Sequence, residues 1–594
     1  MGITANIDIS AEQRQILLDL LSKYLANTKV WAFGSRVKWT TRSNSDLDLV
    51  VFSSPEQDSQ VSALKEALEE SNLPFRVDLL VWDKLPESFK RNIEEGYVVL
   101  VEAVVVKQSG TNFPEHWQLL PLEIVMEAII DYRGKTPNKV DNGIPLITAK
   151  IVKDGRVLAP TEFIAENDYD SWMVRGLPEI GDVVITTEAP LGETAQLSDA
   201  YVALAQRIVT LRGKKGILNN DFLLCAMQSK YVQDQLESRA SGSTVKGIKQ
   251  SELRKVLLPI PPVNEQIEIA HHVKTLSNKI ELNRQTNQTL EQIALALFKS
   301  WFVDFDPVKA KIAAKQAGAN AEQIEHAALC AISGKTPEQL AQLNPQILQK
   351  IKTTAALFPD ALVDSELGEI PEGWEIKKLS SIIHVIGGGT PARSEEMYWN
   401  GDISWFSIKD VPASGDVFVV DTIEKISEQG LLKSSTKLLP IGTTIITARG
   451  TVGKLALVGT PMCMNQSCYG IRGIDGIGAY FNYFNLREAI ITLQQNTHGA
   501  VFDTITTQTF DSYSMAICLG GITKKFDEVV RPILERIESN VREAIVLGKL
   551  RDSLLPKLLS GELDLSNWDE PTLFNRDVGT GRDLSLHLNS PNVE

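Results

Sequence analysis

Residues 269–297, IAHHVKTLSNKIELNRQTNQTLEQIALAL, and residues 530–554, VRPILERIESNVREAIVLGKLRDSL, decide how most of the chain is read. In the first, Ile269, Val273, Leu276, Ile280, Asn283, Asn287, Leu290, Ala294 and Leu297 recur in steps of four and three, the seam of a long packed helix. In the second the seam runs Val530, Ile533, Ile537, Asn540, Ala544, Leu547, Arg551, Leu554. Val273, Ile280, Asn283, Leu290 and Leu297 reappear 257 residues later as Val530, Ile537, Asn540, Leu547 and Leu554, so the two registers coincide. Helices of about 40 residues are roughly 60 Å long. Seams with polar residues near their middles are expected to pair antiparallel, which brings the Asn layers together. A buried Asn layer weakens packing but fixes register.

The duplication extends outward. NFPEHWQLLPLEIVMEAI lies over EIPEGWEIKKLSSIIHVI, with Trp117 and Trp374 again 257 apart. GDVVITTEAPLGETAQL meets GTTIITARGTVGKLALV at an offset of 261 (Gly181, Gly442), and RASGSTVKGI meets NTHGAVFDTI at 257 (Gly242, Gly499). Each half opens on P-E-x-W, passes through short apolar strands broken by Gly and Pro, and closes on a long helix. A period this long means domain duplication rather than a solenoid. Residues 306–358, rich in Ala, Gln and Lys, are expected to form a helical insertion, and residues 563–594 lack a periodic apolar face and suit a flexible tail.

Chemistry is sparse in the repeated part. Gly134-Lys135-Thr136 and Gly334-Lys335-Thr336 lack the earlier Gly of a phosphate loop, GGGTP at 387–391 reads as a turn, and His271 and His272 are adjacent on a helix and point apart. Neither an amino-methyltransferase signature nor a motor-ATPase motif is present. The five cysteines (Cys225, Cys330, Cys463, Cys468, Cys518) show no metal or disulfide spacing. No apolar run is long enough to span a bilayer and the start does not read as a signal peptide, so a cytoplasmic protein with no membrane partner is expected.

Duplicated, non-catalytic heads at a fixed spacing suit reading of double-stranded DNA in two parts. Each head enters a major groove and the helices set the separation. The formal net charge of -15 argues against a freestanding DNA binder. Between residues 207 and 255 the sign reverses locally: Arg207, Arg212, Lys214, Lys215, Lys230, Arg239, Lys246, Lys249, Arg254 and Lys255 outnumber the acids. Lys214, Lys215, Arg239, Lys246 and Lys249 are the DNA-binding candidates, with a plain solvated surface as the alternative.

LPIPPVNEQIEIA, LEQIALALFKSWFVDFDP, LFPDALVDSELGEIPEGWE and LRDSLLPKLLSGEL together resemble the specificity subunits of type I restriction-modification systems over about residues 107–562. The resemblance implies two target-recognition domains, two conserved helical regions and bacterial defence by DNA methylation and restriction. It also implies assembly with two methyltransferase subunits that bind S-adenosylmethionine and with restriction/translocase subunits that use ATP. The specificity subunit itself then catalyses nothing.

The first hundred residues are different. SAEQRQILLDLLSKYLA has helical spacing after a Ser10 cap, and KVWAFG reads as a strand. The loop GSRVKWTTRSNS follows, and DLDLVVF is the next strand, with Asp46 and Asp48 on one face. Asp78 lies in a further strand, FRVDLLVW. Three carboxylates held together call for cations, and Mg2+ prefers oxygen ligands. Asp46, Asp48 and Asp78 are thus candidate metal ligands and catalytic groups, while Gly34, Ser35 and Arg36 form the candidate nucleotide site, Gly34-Ser35 letting backbone N–H groups approach a phosphate. The pattern resembles the minimal nucleotidyltransferases over about residues 1–105, which implies a Mg2+-dependent reaction with a nucleoside triphosphate. Trp39 departs from it, standing where related loops often carry Gly.

The expected fold is α+β and multidomain: a nucleotidyltransferase-like α/β domain (1–106), then two α/β target-recognition domains (107–262 and 359–523) separated by a long antiparallel helical pair. That pair is formed by spacers 263–305 and 524–562, with 306–358 as the insertion. The function expected is a DNA sequence-specificity subunit fused to a nucleotidyltransferase-like domain. The alternative is a nucleotidyltransferase enzyme, or an antitoxin-like regulator, delivered to DNA by the C-terminal part.

Overall fold

The computed structural model describes residues 7–25, 28–41, 45–53, 57–101, 113–114, 116–134, 136–242, 245–496, 504–518 and 521–563. Lys135, Gly499, the junction near residue 106 and the tail from 564 onward lie outside the described residues. Two compact units are present, residues 1–271 with 555–594, and residues 272–554.

In the N-terminal part, Ser10 caps α1 (Ala11–Tyr24) in a reciprocal box with Gln13, satisfying first-turn donors. Strands β1 (Val30–Phe33), β2 (Leu47–Val51), β3 (Val77–Val81) and β4 (Tyr97–Val101) form one sheet in the order β3-β2-β1-β4. Only the β2–β3 pairing is parallel. Helix α2 (Asp58–Glu69) makes the connection between those two strands. Alternation along β2 sends Leu47, Leu49 and Val51 into the core with Leu17, Leu21 and Leu64. Val50 goes to the other face, with Trp31, Phe33 and Ile93. Asp48 lies on Val50's face, where the sheet runs out of apolar cover.

The first head has a four-stranded sheet in the order 191–196, 183–187, 208–213, 126–131, and a three-stranded sheet in the order 163–164, 144–147, 203–204. The second head repeats both. Its larger sheet runs 455–458, 444–447, 468–473, 383–387, with 418–419 added at the edge, and its smaller sheet runs 424–426, 399–406, 463–464. The closing ribbon agrees residue for residue: Gln118 pairs with Ile260 and Glu375 with Ile517. The folds therefore coincide as the sequence offsets predict, with 257 residues separating both members of each pair.

The first long helix is Val263–Phe302 and the second is Gly521–Leu559. In the second unit Lys279 meets Glu543 and Phe298 meets Phe526, so the helices run antiparallel. Residues 306–355 form four helices, as expected of the insertion. Gly334, in the left-handed region, ends one of these helices and Thr336 caps the next, which gives the apparent Gly-Lys-Thr motif a structural role.

Candidate functional site

The nucleotidyltransferase loop is built around a close approach. Gly34 has φ +82°, and a Cβ there would lie 2.1 Å from Asp48 Oδ2. Only glycine lets the loop pass the carboxylate. Lys38 N–H donates to the Gly34 carbonyl and Thr40 N–H to the Ser35 carbonyl, which winds residues 35–39 into turns. Trp39, the residue that departs from the expected loop pattern, adopts φ +54°, a left-handed conformation, and is 59% exposed.

Asp48 and Asp78 are direct partners across the parallel β2–β3 ladder, and Asp46 is exposed just before β2. Burial holds the Asp48 carboxyl above its ordinary range, and the charges of Asp78 and Asp46 push it the same way. A divalent cation between such carboxylates would offset both effects, so the residues fit the metal that the sequence implies. Asp78 also pairs with Arg76 at 3.1 Å. Among the described residues no three His, Cys, Asp or Glu side chains converge closely enough to form a complete metal cage, so Asp46, Asp48 and Asp78 are neighbours rather than a closed ligand set.

Arg36, expected beside the nucleotide, is placed otherwise. Its guanidinium is buried, donates to the Ser45 carbonyl at 2.7 and 3.0 Å and to the Asp8 carbonyl at 2.8 Å, and lies over the Phe75 ring. It ties the two ends of the loop together rather than reaching a phosphate.

The helical seam follows the expected register in part: Glu291, Phe298, Leu534 and Leu555, each one residue on from an expected seam position, are the buried residues there. Val273, Ile280, Ala294, Val530 and Ile537 are buried, and Leu276, Leu290, Leu297, Ile533, Leu547 and Leu554 are half-buried. The polar layer forms: Asn540 Nδ2 donates to Asn287 Oδ1 at 2.8 Å, Asn283 Nδ2 to Glu543 Oε2 at 2.8 Å, and Asn287 Nδ2 to Asp416 Oδ1 at 3.0 Å. All three asparagines are buried. One turn along, Glu291 is paired with Arg487 and accepts from Tyr483 Oη. Beyond that an aromatic cluster of Phe298, Trp301, Phe302, Phe481, Phe484 and Phe526 seats the helices in the second head's core.

The basic stretch divides. Arg212 is spent on buried Asp182 and on Glu179, and its protonated form is reinforced chiefly by the Asp182 hydrogen bonds. Lys246 pairs with Glu237, and Arg239, half-buried, lies 3.5 Å from Glu252. Lys215 and Lys249 are exposed and Lys214 is half-exposed. Lys249 lines an open cleft of about 360 Å³ in the first head together with Arg133, Glu188, Gln206, Arg207 and Gly247. Of these, Arg133 lies outside the basic stretch 207–255, and Glu188 and Gln206 carry no positive charge. The signal for Gln206 is the alignment of the two halves, which sets AQR over NQS.

Three cysteines are buried, and burial raises Cys463 to about 11 and Cys468 to about 12, which makes them packing groups rather than nucleophiles. Among the described residues no helix is long and apolar enough to cross a membrane.

Comparison with known proteins agrees with this geometry. Residues 114–292 and 371–518 match the type I restriction modification DNA specificity domain, and residues 15–103 match the polymerase beta nucleotidyltransferase family. The HindI specificity subunit of Haemophilus influenzae is 34% identical over 380 residues, 61% of this chain and 82% of that protein. The MjaIX specificity subunit of Methanocaldococcus jannaschii is 26% identical over 470 residues, 76% of this chain and 94% of that one. The probable protein adenylyltransferase MntA of Haemophilus influenzae is 43% identical over 99 residues, 16% of this chain and 87% of that protein. The chain therefore belongs to the type I restriction-modification DNA specificity subunits, carrying two target-recognition domains and, ahead of them, a nucleotidyltransferase domain of the polymerase beta family.

Proposed function

We propose that the chain directs a type I complex to a bipartite DNA site, each head reading one half-site and the antiparallel helices fixing the spacer. The duplicated fold with unlike surfaces supports this: the strand order of both sheets and the closing ribbon recur, while the side chains on them differ, so the half-sites are unlike. Methyltransferase subunits, one for each half of the duplicated scaffold, supply S-adenosylmethionine chemistry, and restriction subunits supply ATP-driven cleavage. The acidic balance of the chain fits a division of labour in which partners provide much of the phosphate contact.

The N-terminal domain acts as a nucleotidyl, most specifically an adenylyl, transferase toward a protein hydroxyl. The observation that carries this is the Gly34 passage against Asp48, beside Asp78 and preceded by Asp46. Asp46, Asp48 and Asp78 would hold Mg2+, which when bound neutralises charge on a nucleoside triphosphate. Asp48 would help to activate the incoming hydroxyl, whose oxygen bonds the α-phosphorus as pyrophosphate leaves. Gly34 and Ser35 would let the main chain approach the phosphates, and Arg36 would keep the loop in shape.

The test is Asp46→Asn with Asp48→Asn in the full chain. Label from α-phosphate-labelled ATP should reach protein with the wild type and not with the variant, while sequence-specific methylation with the partner methyltransferase is unchanged. Loss of methylation in the variant would show that the front domain, and not the heads, carries the main activity.

A further inference from the structure

The main-chain framework that borders the first head's cleft recurs in the second head with different side chains on it. In the first head Thr187 N–H donates to the Arg207 carbonyl at 2.9 Å and Ile248 N–H to the Thr187 carbonyl at 3.0 Å. In the second, Ala448 N–H donates to the Ser467 carbonyl at 2.8 Å and Ile505 N–H to the Ala448 carbonyl at 2.9 Å. Glu188 bridges to Gly247 in one and Arg449 to Thr504 in the other. A threonine hydroxyl also meets a glutamine amide oxygen in both: Thr136 to Gln206 at 3.5 Å, and Thr390 to Gln466. The same main-chain hydrogen bonds and the same Thr–Gln pair thus recur in both heads, at the positions that border the cleft of the first.

On this shared frame the variable positions are specific. Glu188 corresponds to Arg449, Arg207 to Ser467 and Lys249 to Thr506. In the first head Arg207 is paired with Glu188 at 2.9 Å, with both side chains about half exposed. A carboxylate is a poor neighbour for a phosphate, but it accepts a hydrogen bond from a cytosine amino group. Arginine reads guanine and glutamine reads adenine by paired hydrogen bonds. A mixed set of Arg, Glu and Gln therefore suits base edges better than the DNA backbone.

We propose that this cleft is the half-site reader of each head: Gln206 and Gln466 are the shared reading groups, and the positions of Glu188, Arg207 and Lys249, with Arg449, Ser467 and Thr506 opposite them in the repeat, set which bases each half-site contains. The inference rests on the DNA-reading function proposed above and assigns it to particular residues. The hydroxyl of Thr136 or Thr390 fixes the orientation of the glutamine amide, and so which base edge it prefers.

The experiment maps methylated bases across the genome of cells that carry the full chain with its cognate methyltransferase. Three variants exchange residues between the heads at equivalent positions: Arg207→Ser, Lys249→Thr and Ser467→Arg. Arg207→Ser and Lys249→Thr should each change or relax the preference at bases of one half-site by roughly 5- to 150-fold, the discrimination of a paired side-chain contact. The other half-site and the spacer should stay as they were, and Ser467→Arg should do the same to the opposite half-site. Retention of the untouched half-site certifies that a variant is folded, and the exposed Lys249 carries the test should Arg207→Ser not assemble. An unchanged motif in all three, or a uniform fall in methylation with base preferences intact, would overturn the assignment. Absence of any sequence-dependent methylation by the wild type would instead sink the DNA-reading function on which it rests.

Discussion

Asn540→Ala tests the polar layer that sets the register of the helical pair. The side chain is buried, and its Nδ2 donates to Asn287 Oδ1 at 2.8 Å. Removing the donor strands a buried acceptor, which costs about 1–3 kcal/mol. The missing carboxamide leaves a small cavity worth roughly 1 kcal/mol more at about 24 cal/mol per Å³. The expected destabilisation is about 2–4 kcal/mol, because neighbouring groups have other commitments: Asn287 Nδ2 is held by Asp416 and Asn283 by Glu543. Hydrogen exchange of the full chain, followed in peptides covering 283–290 and 537–544, reads this as a fall in local opening free energy. Asn287→Ala combined with Asn540→Ala should cost less than the sum of the single changes by about 1 kcal/mol, since the Asn287 Oδ1 that Asn540→Ala strands is then itself removed. A destabilisation below about 0.5 kcal/mol, or strict additivity, would refute the reasoning.

Gly34→Ala should abolish nucleotidyl transfer, because the added carbon meets Asp48 Oδ2 and φ +82° disfavours it; it should leave methylation intact, and retained labelling would refute the close-approach argument. The raised Asp48 pKa means that the folded state binds its proton more tightly than the unfolded state. The resulting penalty is therefore present above the folded pKa and is relieved as pH falls through it. Exchange protection of β2 should accordingly rise on acidification from neutral pH, rise with added Mg2+ at neutral pH, and respond to neither in Asp48→Asn. Charge reversal by Lys214→Glu with Lys215→Glu should weaken DNA binding by the assembled complex and lower the slope of log affinity against log salt by up to about 0.9 for each phosphate that is no longer neutralised; an unchanged titration would remove both lysines from the interface. Phe298→Ala should cost about 3–5 kcal/mol of stability in the second unit, since the ring is buried among Phe302, Phe481, Phe484 and Phe526.

The helical seam and the 257-residue duplication are legible in sequence because both are periodicities, and a periodic signal survives averaging over many residues. The strand ribbon of Gln118 with Ile260 and Glu375 with Ile517 was contained in the same offset. Partners contributed from elsewhere in the chain are not legible in this way. Glu291 lies one step beside the seam and meets Arg487, 196 residues on. Arg36 looks like a phosphate ligand in the motif, yet its partners are main-chain carbonyls of Ser45 and Asp8, which carry no residue-type signal. Counting cations between 207 and 255 likewise cannot separate Arg212, neutralised by an acid 30 residues upstream, from the exposed Lys215 and Lys249. The cleft appears only when the two halves are aligned and the strand ends are seen to carry the same Thr–Gln pair.

The most direct test of the specificity-subunit account is a genome-wide map of methylated bases in cells carrying this chain and its cognate methyltransferase, against cells carrying the methyltransferase alone. The account predicts one new motif of two unlike half-sites separated by a spacer of constant length. A single contiguous motif, two identical half-sites, or no difference between the two maps would contradict it.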